Sequence, residues 1–257
     1  MTSITDTAVP IAWEEQGDGP PLLLVQGLGY GRWGWQPLVP LLYGTFRVIT
    51  FDNRGIGESA VPAGPYTAAQ MAMDCVSVLD AAGVESAHVV GTSLGGMVAQ
   101  ELAIDHPERV RRLTLLSTTP GGAGAHPMPQ ATVDLLGQTA SMDPVDALRL
   151  LVENALSADA SSDVVDEIMR HRVEEPQDPA GWQSQAAAGL TYDGAGRAAS
   201  IRAETLIMHG QEDNVVDYRN ADVLGELINN SRVRIVPGGH LFFWEYPEGA
   251  AEAIISF

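Results

Sequence analysis

The chain has 257 residues, which is enough for one large α/β domain or two small ones. Hydrophobic residues make up 45% of it, so it can bury a sizeable core and is not a disordered chain. Its formal net charge of -19, from 33 acidic and 14 basic residues, repels phosphate backbones and anionic lipid, and this disfavours nucleic acid as a partner.

The chain carries one cysteine, Cys75, so it cannot form an internal disulfide. Apolar residues recur around Cys75 at helical spacing, and we expect a buried packing thiol. The N-terminus lacks the basic region and apolar core of a signal peptide, and no apolar run is long enough for a membrane span. We therefore expect a soluble cytoplasmic protein, while its oligomeric state is left open.

Short apolar runs rich in β-branched residues predict strands along much of the chain. An edge strand is expected at 9–16, a strand covered on both faces at 22–25 and another buried strand at 112–117. Further strands are expected at 47–51, 88–90, 205–208 and 233–236. Helices are expected at 36–43, from Thr67 to Gly83, and from Leu94 to a stop at Pro107. Thr67 with Gln70 forms a capping-box signature at the start of the second helix.

A Gly- and Pro-rich stretch at 119–129 marks a boundary, after which the strand signal disappears until about residue 200. Helical periodicity replaces it, most clearly at 144–156 and 161–173. This segment is therefore expected to be helical.

Strands that alternate with helices predict an α/β fold with a doubly wound, mostly parallel sheet. We expect residues 1–119 and 201–257 to form this core domain, and residues 120–200 to form a helical lid inserted between two late strands. A separately folding domain is the alternative for the lid. Because the last helix has only just begun when the chain reaches Phe257, we expect a few further residues beyond it.

The sequence Gly91-Thr92-Ser93-Leu94-Gly95 lies where a strand signal turns into a helix signal. A strand that enters a helix through so few residues forces the residue at the apex into a strained conformation, and its side chain then projects from the turn. The flanking glycines leave room where strand and helix approach each other. The pattern predicts Ser93 as a nucleophile.

A serine hydroxyl needs a base to take its proton and a third group to orient that base. Among six histidines, His240 is the best candidate base, because it follows the last strand in a flexible turn at the carboxyl end of the sheet. His209, at the end of the strand at 205–208, is interpreted as structural. The orienting group should follow that same strand, where Asp213 is preferred and Glu212 is the alternative.

Several segments, in this order along the chain, carry a resemblance to a known family. They are Gln26-Gly27-Leu28-Gly29, Asp52 to Ser59, Gly91 to Gly96, His106 to Val110, His209 to Asp213 and Pro237 to His240. With the chain order Ser93, Asp213, His240, the sequence from about residue 20 onward resembles α/β-hydrolase fold proteins of the esterase, lactonase and cofactor-free haloperoxidase kind.

The resemblance implies an oxyanion hole made of two backbone N–H groups, those of Leu28 and Leu94. The sequence departs from the family at Gln26, where a histidine commonly precedes the glycine, and this affects substrate fit more than reaction type. The motif that contains Asp52 and Arg54 is expected to brace loops near the site and not to act as an acid–base pair.

Four residues that follow the strand at 22–25 are candidate substrate-binding residues: Gly27, Tyr30, Trp33 and Trp35. The three aromatic side chains are expected either to line an apolar acyl pocket or to pack against the lid. Neither a metal nor a cofactor is expected. Histidines and cysteines do not recur at ligand spacing, and the turn at 27–31 matches neither a phosphate-binding loop nor a dinucleotide fingerprint.

These residues predict a serine hydrolase that cleaves a carboxylic ester or lactone of a small, apolar substrate through an acyl-enzyme intermediate. A cofactor-free perhydrolase, a C–C bond hydrolase or a lyase could use the same side chains. The non-enzyme alternative is a slow-turnover ligand sensor that keeps the hydrolase fold.

Overall fold

The computed structural model describes residues 1–257 and is built around one sheet of eight strands. The strands are β1 (Ser3–Ile4), β2 (Ala12–Gln16), β3 (Pro21–Val25), β4 (Arg47–Phe51), β5 (Ala87–Thr92), β6 (Val110–Leu116), β7 (Glu204–Gly210) and β8 (Ser231–Val236). Their spatial order is β1-β2-β4-β3-β5-β6-β7-β8. β1 and β2 are antiparallel additions at one edge, and all other neighbouring strands run parallel.

Helices cover both faces of this sheet, as the predicted doubly wound fold requires. They are α1 (Val39–Leu42), α2 (Ala68–Ala81), α3 (Leu94–Asp105), α4 (Gln130–Thr139), α5 (Pro144–Asn154), α6 (Ser162–Glu174), α7 (Pro179–Leu190), α8 (Asn220–Leu227), α9 (Phe242–Glu245) and α10 (Pro247–Ser256). None of them combines the length and the apolar character that crossing a bilayer would need. The predicted fold class is confirmed.

The continuous apolar runs of the central strands belong to strands that are buried on both faces, whereas β8, at the edge of the sheet, is largely exposed. In β3, Leu22 and Leu24 belong to the core cluster on one face of the sheet, while Leu23 and Val25 belong to the cluster on the other. Strand geometry explains this alternation, because successive side chains of a strand point to opposite faces. The result is one sheet between two apolar layers.

The capping box at the start of α2 forms as predicted. Thr67 Oγ1 accepts a hydrogen bond from the Gln70 N–H at 3.1 Å, and Gln70 Oε1 accepts one from the Thr67 N–H at 3.1 Å. Cys75 lies in this helix and is completely buried, and burial raises the pKa of its thiol well above the usual value.

Residues 120–200, which we call the insertion, lie between β6 and β7 and contain four helices, α4 to α7. A backbone bridge between Gly121 and Asp193 ties together the two ends of the insertion. The helices expected at 144–156 and 161–173 correspond to α5 and α6. The sequence does not single out α7, because its buried residues, Gly181, Gln185 and Ala188, do not form a clear apolar stripe.

Candidate active site

Ser93 occupies the turn between β5 and α3 with φ of 54° and ψ of -121°. Only two non-glycine residues in the chain have positive φ, Ser93 and Ser117. The flanking glycines are required by contact with the backbone, since a Cβ on Gly91 would lie 2.3 Å from the Gly95 oxygen and one on Gly95 would lie 2.1 Å from the Val25 oxygen. Close approach of α3 to the sheet therefore produces the strained turn that the sequence predicts.

The backbone of Ser93 is also fixed by β6 and the residues that follow it. The Ser93 N–H donates to the Leu116 carbonyl oxygen at 2.9 Å. The Thr118 hydroxyl donates to the Ser93 carbonyl oxygen at 2.7 Å. Because both backbone groups are bonded, the position of the Ser93 side chain is set by neighbouring strands.

Asp213 and His240 follow β7 and β8, and the structure brings their side chains into contact. Asp213 Oδ2 lies 2.7 Å from His240 Nδ1, and both residues are buried. Asp213 Oδ1 accepts hydrogen bonds from the N–H groups of Val215 and Val216, both at 2.8 Å. Glu212, the alternative to Asp213, is exposed.

The charge of Asp213 is stabilised by this environment. Burial by itself would raise the pKa of the carboxyl, but His240 and His209 outweigh it and hold this pKa well below its usual range. Asp213 is therefore an ionised acceptor for the His240 ring across the neutral pH range.

The turn that carries His240 is held by side chains and backbone from two other elements. Gly238 has a φ of 106°, which favours glycine. The Gly239 N–H donates to Glu245 Oε1 at 2.8 Å, and Glu245 also bonds to Ser157 in the insertion. The Leu241 N–H donates to the Ala155 oxygen at 3.0 Å, so the insertion contacts residues on both sides of His240.

The loop after β3 lies beside Ser93, because β3 and β5 are neighbours in the sheet. A Cβ on Gly27 would lie 3.1 Å from Ser93 Cβ, so glycine keeps this approach open. The Leu28 N–H makes no hydrogen bond to the protein. Leu94 is the first residue of α3, where N–H groups have no acceptor within the helix. Neither of the two N–H groups predicted as oxyanion donors is hydrogen-bonded to the protein.

Gln26, where the sequence departs from the family, braces this loop from within. Its Oε1 accepts a hydrogen bond from the Gly27 N–H at 2.7 Å. Its carbonyl oxygen accepts one from Asn53 Nδ2 at 2.8 Å. The glutamine side chain therefore supports the loop.

Two residues of the insertion form hydrogen bonds with the N–H and the carbonyl oxygen of Gly29. Gln185 Oε1 accepts from the Gly29 N–H at 3.1 Å, and Arg172 Nη1 donates to the Gly29 oxygen at 2.8 Å. Gln185 also donates to the Arg54 carbonyl oxygen at 2.7 Å. These contacts link the insertion to the loop that carries Leu28, and the sequence shows no pattern that would have predicted them.

The candidate substrate-binding aromatic residues pack against the insertion or in the core. The Arg172 guanidinium lies 5.0 Å from the ring centre of Tyr30, whose pKa is raised by burial and lowered to a smaller extent by that charge. Trp33 stacks on His171 of the insertion with ring centres 4.7 Å apart. Trp35 is completely buried and lies against Phe243, which makes it a core residue. Tyr30 and Trp33 therefore contact the insertion, as in the second of the two expectations, whereas Trp35 packs in the core and not against the insertion.

The motif that contains Asp52 and Arg54 is engaged in loop contacts. Asp52 accepts hydrogen bonds from the N–H groups of Arg32 at 2.8 Å and Glu58 at 3.0 Å. Arg54 forms a bidentate pair with Asp74 at 2.6 and 2.7 Å. These bonds brace the loops and leave neither side chain as a free acid or base.

Comparison with known proteins places this geometry in a family. The model of the α/β hydrolase fold matches residues 20–247. RutD of Azorhizobium caulinodans, provisionally named a carbamate hydrolase, is 32% identical, and the match covers 95% of this chain and 93% of RutD. The 2-hydroxymuconate semialdehyde hydrolase of Pseudomonas putida is 34% identical over 95% of this chain and 88% of its own.

The architecture also agrees with solved structures. An esterase from Exiguobacterium antarcticum superposes with a TM-score of 0.89 at 25% identity, covering 100% of this chain and 98% of the esterase. The names of these proteins support a hydrolase activity. Because the family model and the relatives span nearly the whole sequence, the chain belongs to the α/β-hydrolase fold family.

Proposed function

We propose that the protein is a serine hydrolase that cleaves a carboxylic ester or lactone, with Ser93 as nucleophile, His240 as base and Asp213 as the group that orients it. The observation that carries this proposal is the buried 2.7 Å contact between Asp213 and His240, which follow β7 and β8. The strained Ser93 follows β5 at the same carboxyl edge of the parallel sheet. Such a pair holds the imidazole in one tautomer and stabilises its charged form.

The reaction follows from the hydrogen-bonding roles of the ring. With Nδ1–H donating to Asp213, Nε2 of His240 is available to take the Ser93 proton as Oγ bonds to the substrate carbonyl carbon. The same proton then passes to the leaving alcohol as the C–O bond breaks. Water, deprotonated by His240, attacks the acyl-enzyme and releases the acid, and the proton returns to Ser93.

The developing negative charge on the substrate oxygen would be held by the N–H groups of Leu28 and Leu94. Two preorganised donors stabilise a tetrahedral intermediate, and the loss of one typically costs about 10²–10³ in rate. The Leu28 N–H makes no hydrogen bond to the protein, and this supports the role because the group is available to a ligand.

An uncharged substrate fits the overall charge of the chain best. The formal net charge of -19 disfavours anionic substrates. A depression of about 340 Å³, lined by Gly29 and Trp33 among others, includes none of the proposed catalytic residues and does not bear on this choice. The insertion, as a lid, would select among neutral esters and lactones.

A second candidate, hydrolysis of a C–C bond, is favoured by one comparison. The relative from Pseudomonas putida is named for 2-hydroxymuconate semialdehyde, and it matches most of this chain. The same nucleophile and base could release a carbon leaving group from such a substrate.

Labelling with a fluorophosphonate probe, read by intact mass, tests the proposal. We expect one adduct per chain, lost in Ser93→Ala and retained in Ser117→Ala, which removes the other serine with positive φ. Turnover of nitrophenyl esters, lactones and a dienoate semialdehyde would then rank the substrate classes. Equal labelling of Ser93→Ala would refute the nucleophile, and one burst of product without turnover would favour the ligand sensor.

A further inference from the structure

His209 is a buried histidine that the proposed reaction does not use. It lies in β7 and is completely shielded from solvent. Its Nε2 lies 2.9 Å from Asp213 Oδ2 and 3.0 Å from the Val216 carbonyl oxygen. Because Asp213 is ionised, both neighbours are acceptors, so Nε2 carries the proton and the tautomer of the ring is fixed.

The carboxylate of Asp213 therefore receives four hydrogen bonds. Oδ1 accepts from two backbone N–H groups, and Oδ2 accepts from the rings of His209 and His240. The backbone bonds fix Oδ1, but a carboxylate held at one oxygen can still pivot about it. His209 is the group, other than the base itself, that holds the second oxygen.

We propose that His209 is a positioning residue, which holds Asp213 Oδ2 where the Nδ1–H group of His240 can reach it. This inference rests on the proposed function of Asp213 and His240. A purely structural histidine would contribute to stability alone. A positioning residue would also affect the step in which the His240 ring becomes charged, because the orientation of Asp213 stabilises that charge.

Two substitutions at His209 separate these roles. His209→Met fills a similar space without a donor, whereas the side-chain amide of His209→Gln extends an N–H group toward Oδ2. His88→Met is the matched control, because His88 is also buried but lies at the opposite end of the sheet, 2.8 Å from Thr114 Oγ1. Melting temperature, kcat and KM for a nitrophenyl ester, and the NMR resonance of the His240 Nδ1–H proton would be measured for each.

We expect His209→Met to lower kcat by about 10–100-fold, by analogy with the groups that orient metal ligands, with little change in KM. The His240 Nδ1–H resonance should broaden or disappear. His209→Gln should recover most of the activity and the resonance, and His88→Met should lower the melting temperature without lowering kcat. If His209→Met does not fold, His209→Asn replaces it, because its shorter amide cannot reach Oδ2.

A folded His209→Met protein with the kcat and the resonance of the wild type would overturn the inference, as would a Gln variant no better than the Met variant. The NMR resonance does not depend on turnover. Failure of the proposed function would instead appear as a wild-type protein in which the probe does not label Ser93. In that case, retention of the resonance in His209→Met would still overturn the positioning role, and its loss would support it.

Discussion

Replacement of Gln185 by leucine tests how firmly the insertion holds the loop after β3. Gln185 is completely buried, and its amide bonds to the Gly29 N–H at 3.1 Å and the Arg54 oxygen at 2.7 Å. Leucine is of similar size but would leave both backbone groups buried and unpaired. At about 1–3 kcal/mol for each unsatisfied group, the free energy of unfolding should fall by about 2–6 kcal/mol. For a chain of this size, the melting temperature should fall by roughly 2–4 °C per kcal/mol.

Gln185→Leu should also lower the rate of the proposed reaction, because the loop after β3 carries the Leu28 N–H. Complete loss of an oxyanion donor costs about 10²–10³ in rate, so a loosened donor should lower kcat by about 10–100-fold with little change in KM. Gln183→Leu, at an exposed position of the same helix, controls for added apolar surface. A Gln185→Leu protein that melts earlier yet keeps the kcat of this control would refute the reasoning.

Three further changes probe the acid, the sheet and the turn at the nucleophile. Asp213→Asn should leave the fold intact but lower kcat by about 10⁴, as measured with a nitrophenyl ester, because the amide favours the wrong tautomer of the base. Burial lowers the pKa of His88 to about 4. Protonation therefore favours the unfolded chain, so the contribution of His88 to the free energy of unfolding is intact above about pH 6.5 and falls by up to about 3 kcal/mol as the pH drops towards 4. Urea unfolding of His88→Leu should accordingly depend less on pH, and an unchanged dependence would contradict this. Gly95→Ala would place a Cβ 2.1 Å from the Val25 oxygen and should abolish probe labelling, whereas Gly249→Ala, with no heavy atom within 4 Å, should keep it.

The fold and the candidate catalytic residues are accessible from the sequence because both depend on local signals. A buried strand such as β3 is a continuous apolar run, and a strand that turns sharply into a helix needs glycines at fixed positions around Ser93. The preference for Asp213 over Glu212 agrees with the contact to His240. Each of these features can be read within a few neighbouring residues.

The remaining contacts depend on residues far apart in the chain. Gln185 bonds to Gly29 across 156 positions, and Gln185 lies in no motif. The contact between His209 and Asp213 spans only four positions, but it depends on the conformation of the turn that follows β7. The role of His209 as a donor therefore cannot be inferred from its place at the end of an apolar run. β1 is two residues long and carries no periodic pattern. Tertiary packing determines these contacts and this short strand, and no local pattern in a single sequence predicts that packing.

The insertion is hydrogen-bonded to both the loop that contains Gly29 and the turn that contains His240. These bonds limit how freely the insertion can be replaced by the corresponding segment of a homologue. In a modular enzyme, a cap could be grafted from one homologue to another to change substrate range while the chemistry stays constant. Here α6, α7 and the residues that follow α5 supply bonds that hold the groups proposed to carry out that chemistry. A graft would therefore have to bring its own matching partners for both loops, and substrate range and turnover would be inherited together.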